Sequence, residues 1–142
     1  MRVTLAAVGK LRDPGLEALC ADYQKRVRPF MPVEVVELRG RAALRELWRK
    51  TPGVHVLLDE RGEQLSTPEL AAWIDGWRGA GASAVTFSIG DADGFDDDDR
   101  RGAARLLALS RLTLPHRLAR LLLLEQLYRA ATLLAGHPYH HA

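Results

Sequence analysis

A chain of 142 residues, 47% apolar and 27% charged, has the size and make-up of one globular domain and not of a disordered, fibrous or repeat protein. Its single cysteine excludes an internal disulfide framework, and no apolar stretch reaches the roughly 20 residues of a membrane-crossing helix. The net charge of +2 conceals a segregation into +5, −8 and +5 over residues 1–50, 51–100 and 101–142, which suits a nucleic-acid partner, although a plain preference for arginine over lysine gives the same pattern.

In chain order, Val3–Val8 reads as a strand. Its apolar run is too short for a signal peptide and meets Lys10, Arg12 and Asp13 at once, so a cytoplasmic protein is expected. Asp13-Pro14 supplies an N-cap and a first helical position for a helix to about Arg28, on which Cys20 sits beside Leu16, Leu19 and Tyr23 as a buried structural thiol. Val33–Leu38 is a second strand, followed by a helix over Ala42–Lys50. Val54–Leu58 is a third strand, bounded by Pro52-Gly53 and by Asp59-Glu60-Arg61-Gly62. Ser66-Thr67-Pro68-Glu69 carries a capping box and opens a helix to about Arg78. Ala84–Ile89 is a fourth strand and Gly90–Gly94 a turn, before a helix with an acidic first turn and an apolar segment near Leu107–Leu114 ending at Pro115.

Strands alternating with helices at this spacing imply an α/β fold, a mostly parallel sheet with helices on both faces, spanning 1–142 as a single domain. The last helix, about Arg117–Ala135, is apolar nearly all the way round, with leucines at 118, 121–124, 127, 133 and 134. A domain this small has little interior in which to enclose such a helix, so part of its surface is expected to meet a second copy in a homodimer.

In open parallel sheets, ligands sit in the loops beyond the carboxyl ends of the strands. Three such loops stand out: Leu58-Asp59-Glu60, Ile89-Gly90-Asp91-Ala92-Asp93-Gly94 and Leu109–Pro115. The acidic residues at 91, 93 and 96–99 do not make a calcium loop. With Gly94 as sixth residue, Ile89 falls first and Arg100 twelfth, where carboxylates belong, so no metal is expected. Asp96–Asp99 suit a helix N-terminus instead. Glu125 and Arg129 are spaced to pair on the last helix, and Gly136-His137-Pro138-Tyr139-His140-His141 is rich in groups that stack on bases and exchange protons near neutral pH.

Leu112-Thr113-Leu114-Pro115-His116, Arg120, Glu125-Gln126-Leu127-Tyr128-Arg129-Ala130 and Pro138-Tyr139-His140 together resemble the C-terminal signature of the SPOUT-class ribosomal RNA large subunit methyltransferase H family. Val8-Gly9-Lys10-Leu11 and Tyr23-Gln24-Lys25-Arg26 resemble that family's start, so the likeness spans nearly the whole chain. The resemblance implies a C-terminal trefoil knot, a rare exception to the rule against threaded chains. It implies a homodimer that carries a methyl group from S-adenosyl-L-methionine to N3 of a pseudouridine in 23S rRNA, within the assembled ribosome. It places the cofactor on Leu58, Gly90, Leu109, Ser110, Arg111, Leu112, Thr113 and Leu114. Arg129, Tyr139 and His140 are the expected catalytic, RNA-facing residues, with His140 a candidate proton acceptor.

One departure stands out. The family has two glycines after the fourth strand, and here the second is Asp91, whose charge is expected to crowd the cofactor or repel its carboxylate. That residue is the feature favouring a rival reading, a ribosome-associated factor that kept the fold and lost methyl transfer.

Overall fold

The computed structural model describes residues 1–141; Ala142, the last residue of the expected domain, lies outside the described residues. Five strands, β1 (Arg2–Val8), β2 (Val33–Leu38), β3 (Val54–Gln64), β4 (Ala84–Ile89) and β5 (Arg105–Ala108), form one parallel sheet in the order β2-β1-β4-β3-β5. All six residues of the middle strand, β4, are buried, as expected of a strand covered on both faces. On one face Val3, Leu5, Val56, Val85 and Phe87 pack beneath α1 (Pro14–Val27), α3 (Thr67–Gly79) and α5 (His116–Leu134). On the other, Ala6, Val8 and Leu57 meet Leu44 of α2 (Arg41–Lys50) and Phe95, ahead of the short α4 (Asp97–Gly102).

The helix starts follow their expected chemistry. Asp13 Oδ1 accepts from Leu16 N–H at 3.1 Å, and Ser66 and Glu69 form a reciprocal capping box. Cys20 is 7% exposed and burial pushes its thiol pKa up, in keeping with an inert structural cysteine.

Two elements differ from the sequence reading. β3 does not stop at Leu58 but continues to Gln64, with a register shift between Leu58 and Glu63 in its pairing with β5. The continuation is possible because Gly62 lies against the backbone of Leu106, where a Cβ would stand 2.5 Å from the carbonyl carbon. β5 itself, four residues long with exposed Arg105 at its start, is too short to show an alternating pattern and reads in sequence only as part of an apolar segment.

Most of the α5 surface is buried within the chain itself. The helix lies between α1 and α3 under the sheet, and Leu123, Leu124 and Leu127 reach 0% exposure within one chain. Most of this apolar helix is therefore covered within one chain, while Leu118, Leu122 and Leu134 remain exposed. At its far end Gly136, with φ +73°, closes the helix as His137 N–H donates to Thr132 O at 2.9 Å, and the tail folds back along α5.

Arg120 is the main polar strut of this packing. It is 3% exposed, donates from Nη1 to Glu37 Oε2 at 2.6 Å and from Nη2 to Gly9 O at 3.0 Å, and so fastens α5 to the ends of β1 and β2. Arg120→Ala is expected to destabilise the fold by about 2–4 kcal/mol, since it removes both bonds and leaves a cavity. Arg120→Met, which keeps the volume and lets half-exposed Glu37 return to water, is expected to cost about half as much. Urea midpoints read the difference, and equal losses would show that filling the volume does not help.

Candidate active site

The irregular stretch of β3 at Leu58–Glu60 and the loops that follow β4 and β5 converge on a cleft of about 250 Å³. Leu58, Gly90, Leu109, Ser110, Leu112, Thr113 and Leu114 all line it. Arg111 does not; it is exposed. The leucines at 58, 107, 109, 112 and 114 give the walls an apolar part, and the rest is backbone and polar side chains. In the loop Ser110–Leu114, Leu112 N–H donates to Ser110 Oγ at 2.9 Å, while the amides of Ser110, Arg111, Thr113 and Leu114 have no protein acceptor among the described residues. Free amides beside leucine walls fit an adenosyl group, which needs an apolar slot and donors for its ring nitrogens and hydroxyls.

Gly90 is held close to Gly94, whose Cα and carbonyl oxygen would lie 3.3 Å from a Cβ at position 90, so the turn leaves little room for a side chain there. Asp91, the departure from the two-glycine pattern, directs Oδ1 to its own loop, accepting from Asp93 N–H at 3.0 Å, while Asp91 O accepts from Gly94 N–H at 3.0 Å. Its carboxylate thus serves the turn, which lessens the crowding expected from sequence.

The cleft also contains an ion pair, Asp59 with Arg100, that the sequence does not announce. Asp59, whose side chain is 4% exposed, accepts from Arg100 Nε at 2.8 Å and from Arg61 N–H at 2.8 Å. Arg100 in turn reaches Asp97 at 2.9 Å, so the middle of β3 is tied to α4. Arg45 clamps the same helix from α2, donating to Asp99 at 2.9 Å and Asp96 at 2.9 Å and holding the Asp99 carboxyl pKa below its usual range. The acidic run at 96–99 is therefore an N-terminal cap and ion-pair network. Among the described residues no group of three or more His, Cys, Asp or Glu is arranged to hold a metal ion.

Arg129 and Tyr139 form a second cluster that is not part of the cleft lining, and His140 follows Tyr139 in the tail. Arg129 donates to Glu125 Oε1 from Nε at 2.8 Å and Nη2 at 2.5 Å, and its guanidinium lies 4.9 Å from the Tyr139 ring centre. Tyr139 packs on Tyr128 with 4.4 Å between centroids, and its hydroxyl donates to Glu125 Oε1 at 3.2 Å. Both ring nitrogens of His140 are buried without a partner among the described residues. His116 lines the cleft at the start of α5, and at 1.5 Å per residue Arg129 lies about 20 Å further along the helix. One chain does not bring these three residues to its own cleft.

Burial, with the Tyr23 hydroxyl and the Glu125 carboxylate beside it, pushes the Tyr139 phenol from 10.0 up to about 12. The folded chain holds this proton more tightly than the unfolded one, so the stabilisation is complete below pH 10 and is lost as pH rises towards 12. Tyr139→Phe is expected to flatten the fall of the urea midpoint over that interval; an unchanged slope would show that another group titrates there.

The family model described as "Predicted SPOUT methyltransferase" matches residues 1–140. A ribosomal RNA large subunit methyltransferase H of Thiobacillus denitrificans is 45% identical, with 99% of each chain covered. Proteins of the same name are 43% identical in Geobacter metallireducens, with both chains fully covered, and 38% identical in Koribacter versatilis, covering 99% of this chain and 98% of that one. Among solved structures, a probable methylase family protein of Haemophilus influenzae superposes with a TM-score of 0.62 at 10% identity, covering 99% of this chain and 70% of that one. A putative methyltransferase of Legionella pneumophila, solved with bound SAM, gives 0.51 at 15% identity over 92% of this chain and 66% of that one. No helix among the described residues is long and apolar enough to cross a membrane. With a full-length family match, close relatives of one name and a parallel sheet whose loops converge on a single cleft, this chain belongs to the SPOUT methyltransferase family.

Proposed function

We propose that this chain is a cytoplasmic, S-adenosyl-L-methionine-dependent methyltransferase that methylates N3 of a pseudouridine in 23S rRNA, acting as a homodimer on the assembled ribosome. The observation that carries the reading is the meeting of the Leu58–Glu60 stretch of β3 with the loops after β4 and β5 around free backbone amides, a slot suited to the adenosyl group. The shared name of the relatives at 38–45% identity supports the substrate. The same reading includes the trefoil knot, with the segment from Leu109 threaded behind the loops that precede it.

S-adenosylmethionine supplies a methyl group on a positively charged sulfur, open to attack by nitrogen. The chain's part is alignment and charge. Leu58, Gly90 and the backbone of Leu109–Leu114 hold the donor in place, and the walls exclude water. N3 of the base must lose its proton as it takes the methyl group. Arg129 stabilises the developing anion, Tyr139 stacks and orients the base, and a ring nitrogen of His140 accepts the proton. Because these groups lie about 20 Å along α5 from their own chain's cleft, a second copy has to bring them, docking along the exposed strip of Leu118 and Leu122.

Mass spectrometry of 23S rRNA from cells with and without the gene tests this reading: a methylated pseudouridine should vanish on deletion and return on complementation. Calorimetry with S-adenosylmethionine separates the enzyme from the rival ribosome-associated factor, for which no heat of binding is expected.

A further inference from the structure

The loop after β1 is built more tightly than a simple connection requires. Gly9, with φ +89°, donates to Leu38 O at 2.8 Å and accepts from Arg120 at 3.0 Å; Leu11 is buried at 4% exposure. Arg12 follows with φ +53°, the one non-glycine residue with positive φ among the described residues. An arginine in that region is strained where a glycine would not be, and such strain persists where the surroundings impose it, often at functional sites. The effect is to hold Lys10 and Arg12 out to solvent on a fixed frame.

These two cations have neighbours of the same kind. Arg39 follows β2, and Arg117 lies in the first turn of α5 beside cleft-lining His116. Arg120, one turn further on, ties α5 to Gly9 and to Glu37 of β2, so the three segments are mechanically one. Lys10, Arg12, Arg39 and Arg117 are all exposed and make no ion pair among the described residues. The carboxylates within the strip are already engaged, Asp13 as a helix cap and Glu37 by Arg120. On the β4 side of the cleft the lip is acidic instead, with Asp91 and Asp93, and there Arg41 approaches Asp93 at 3.9 Å.

We propose that Lys10, Arg12, Arg39 and Arg117 form a preset phosphate rail on the β1–β2 side of the cleft, along which the RNA backbone lies while the target base enters. The inference rests on the RNA-methylating reading above and adds the route by which RNA approaches. Phosphate contacts fix register and orientation and carry no sequence information, which suits an enzyme whose discrimination comes from the target's shape. Cations held by a buried leucine and a strained backbone lose little freedom on binding.

The test is binding of the full-length chain to purified assembled ribosomes over a potassium chloride series, with methyl transfer and S-adenosylmethionine calorimetry in parallel. In the K10Q/R12Q/R39Q/R117Q variant each lost contact should lower the log–log salt slope by roughly 0.7–0.9, about 3 in all. Cofactor affinity should not change. Arg12→Gly is the second arm: it should weaken ribosome binding as Arg12→Gln does while keeping or raising the melting temperature. An unchanged slope in the fourfold variant, or full ribosome affinity in Arg12→Gly, overturns the rail. A wild type that binds ribosomes but transfers no methyl group removes the enzymatic reading and leaves the rail to be judged on its slope alone.

Discussion

Gly62→Ala is expected to cost about 3 kcal/mol of stability and to weaken S-adenosylmethionine binding at least tenfold, although the glycine has an ordinary φ. The added methyl would lie 2.5 Å from Leu106 C, 2.6 Å from Leu107 N and 2.7 Å from Leu106 O. All three are backbone atoms of β5, so no rotamer change relieves the clash. The strand has to move, and with it the Leu107–Leu109 wall of the cleft. Gly76→Ala provides the contrast, since nothing lies within 4 Å of a Cβ there and the residue is exposed in α3. That change should stabilise by about 0.5–1 kcal/mol through helix propensity. Urea unfolding and calorimetry of both variants decide the matter. A Gly62→Ala protein as stable as wild type would mean that β3 and β5 can separate without cost.

The contrast between those glycines also shows what a sequence conceals. β-rich runs and the caps at Asp13 and Ser66 locate β1, β2 and β4 closely, because every residue of β2 pairs with β1 and the starts of α1 and α3 satisfy amides of their own first turns. β5 escapes notice because its identity lies in its partner: Leu107 pairs with both Leu58 and Glu63 across a register shift, a relation with no local signal. The burial of α5 is hidden for a similar reason. Apolar periodicity says that all sides of a helix must be covered, not whether α1, α3 and a sheet suffice to cover them.

The site divides along the same line. Glycines and turns at strand ends mark Gly90 and the Leu58 loop, and the Glu125–Arg129 spacing marks an ion pair that forms as expected. Asp59 and Arg100 carry no such mark, being 41 residues apart and joined only by the fold. The one available signal was Asp59 at a strand's carboxyl end, where a buried carboxylate requires a cation.

Arg129→Ala is expected to lower kcat for methyl transfer by 10²–10³-fold, roughly the effect of removing one preorganised donor from a site of developing negative charge. Affinity for S-adenosylmethionine should hardly change, because the proposed cofactor contacts are Leu58, Gly90 and the backbone of Leu109–Leu114, while Arg129 is assigned to the base. Arg129→Lys should recover little, since the fork that engages Glu125 through two nitrogens and stacks on Tyr139 has no counterpart in an ammonium group. A mixing experiment then asks which chain supplies the group. Gly90→Val, whose side chain has to push against Gly94, should abolish cofactor binding and be inactive alone. When Gly90→Val and Arg129→Ala chains are refolded together, half of the dimers are mixed, and each mixed dimer has one intact cleft facing one intact Arg129. About a quarter of the wild-type rate should return. If the mixture stays inactive while mixed dimers are shown to form, Arg129 serves its own chain's cleft, and α5 and the tail must move to bring it there.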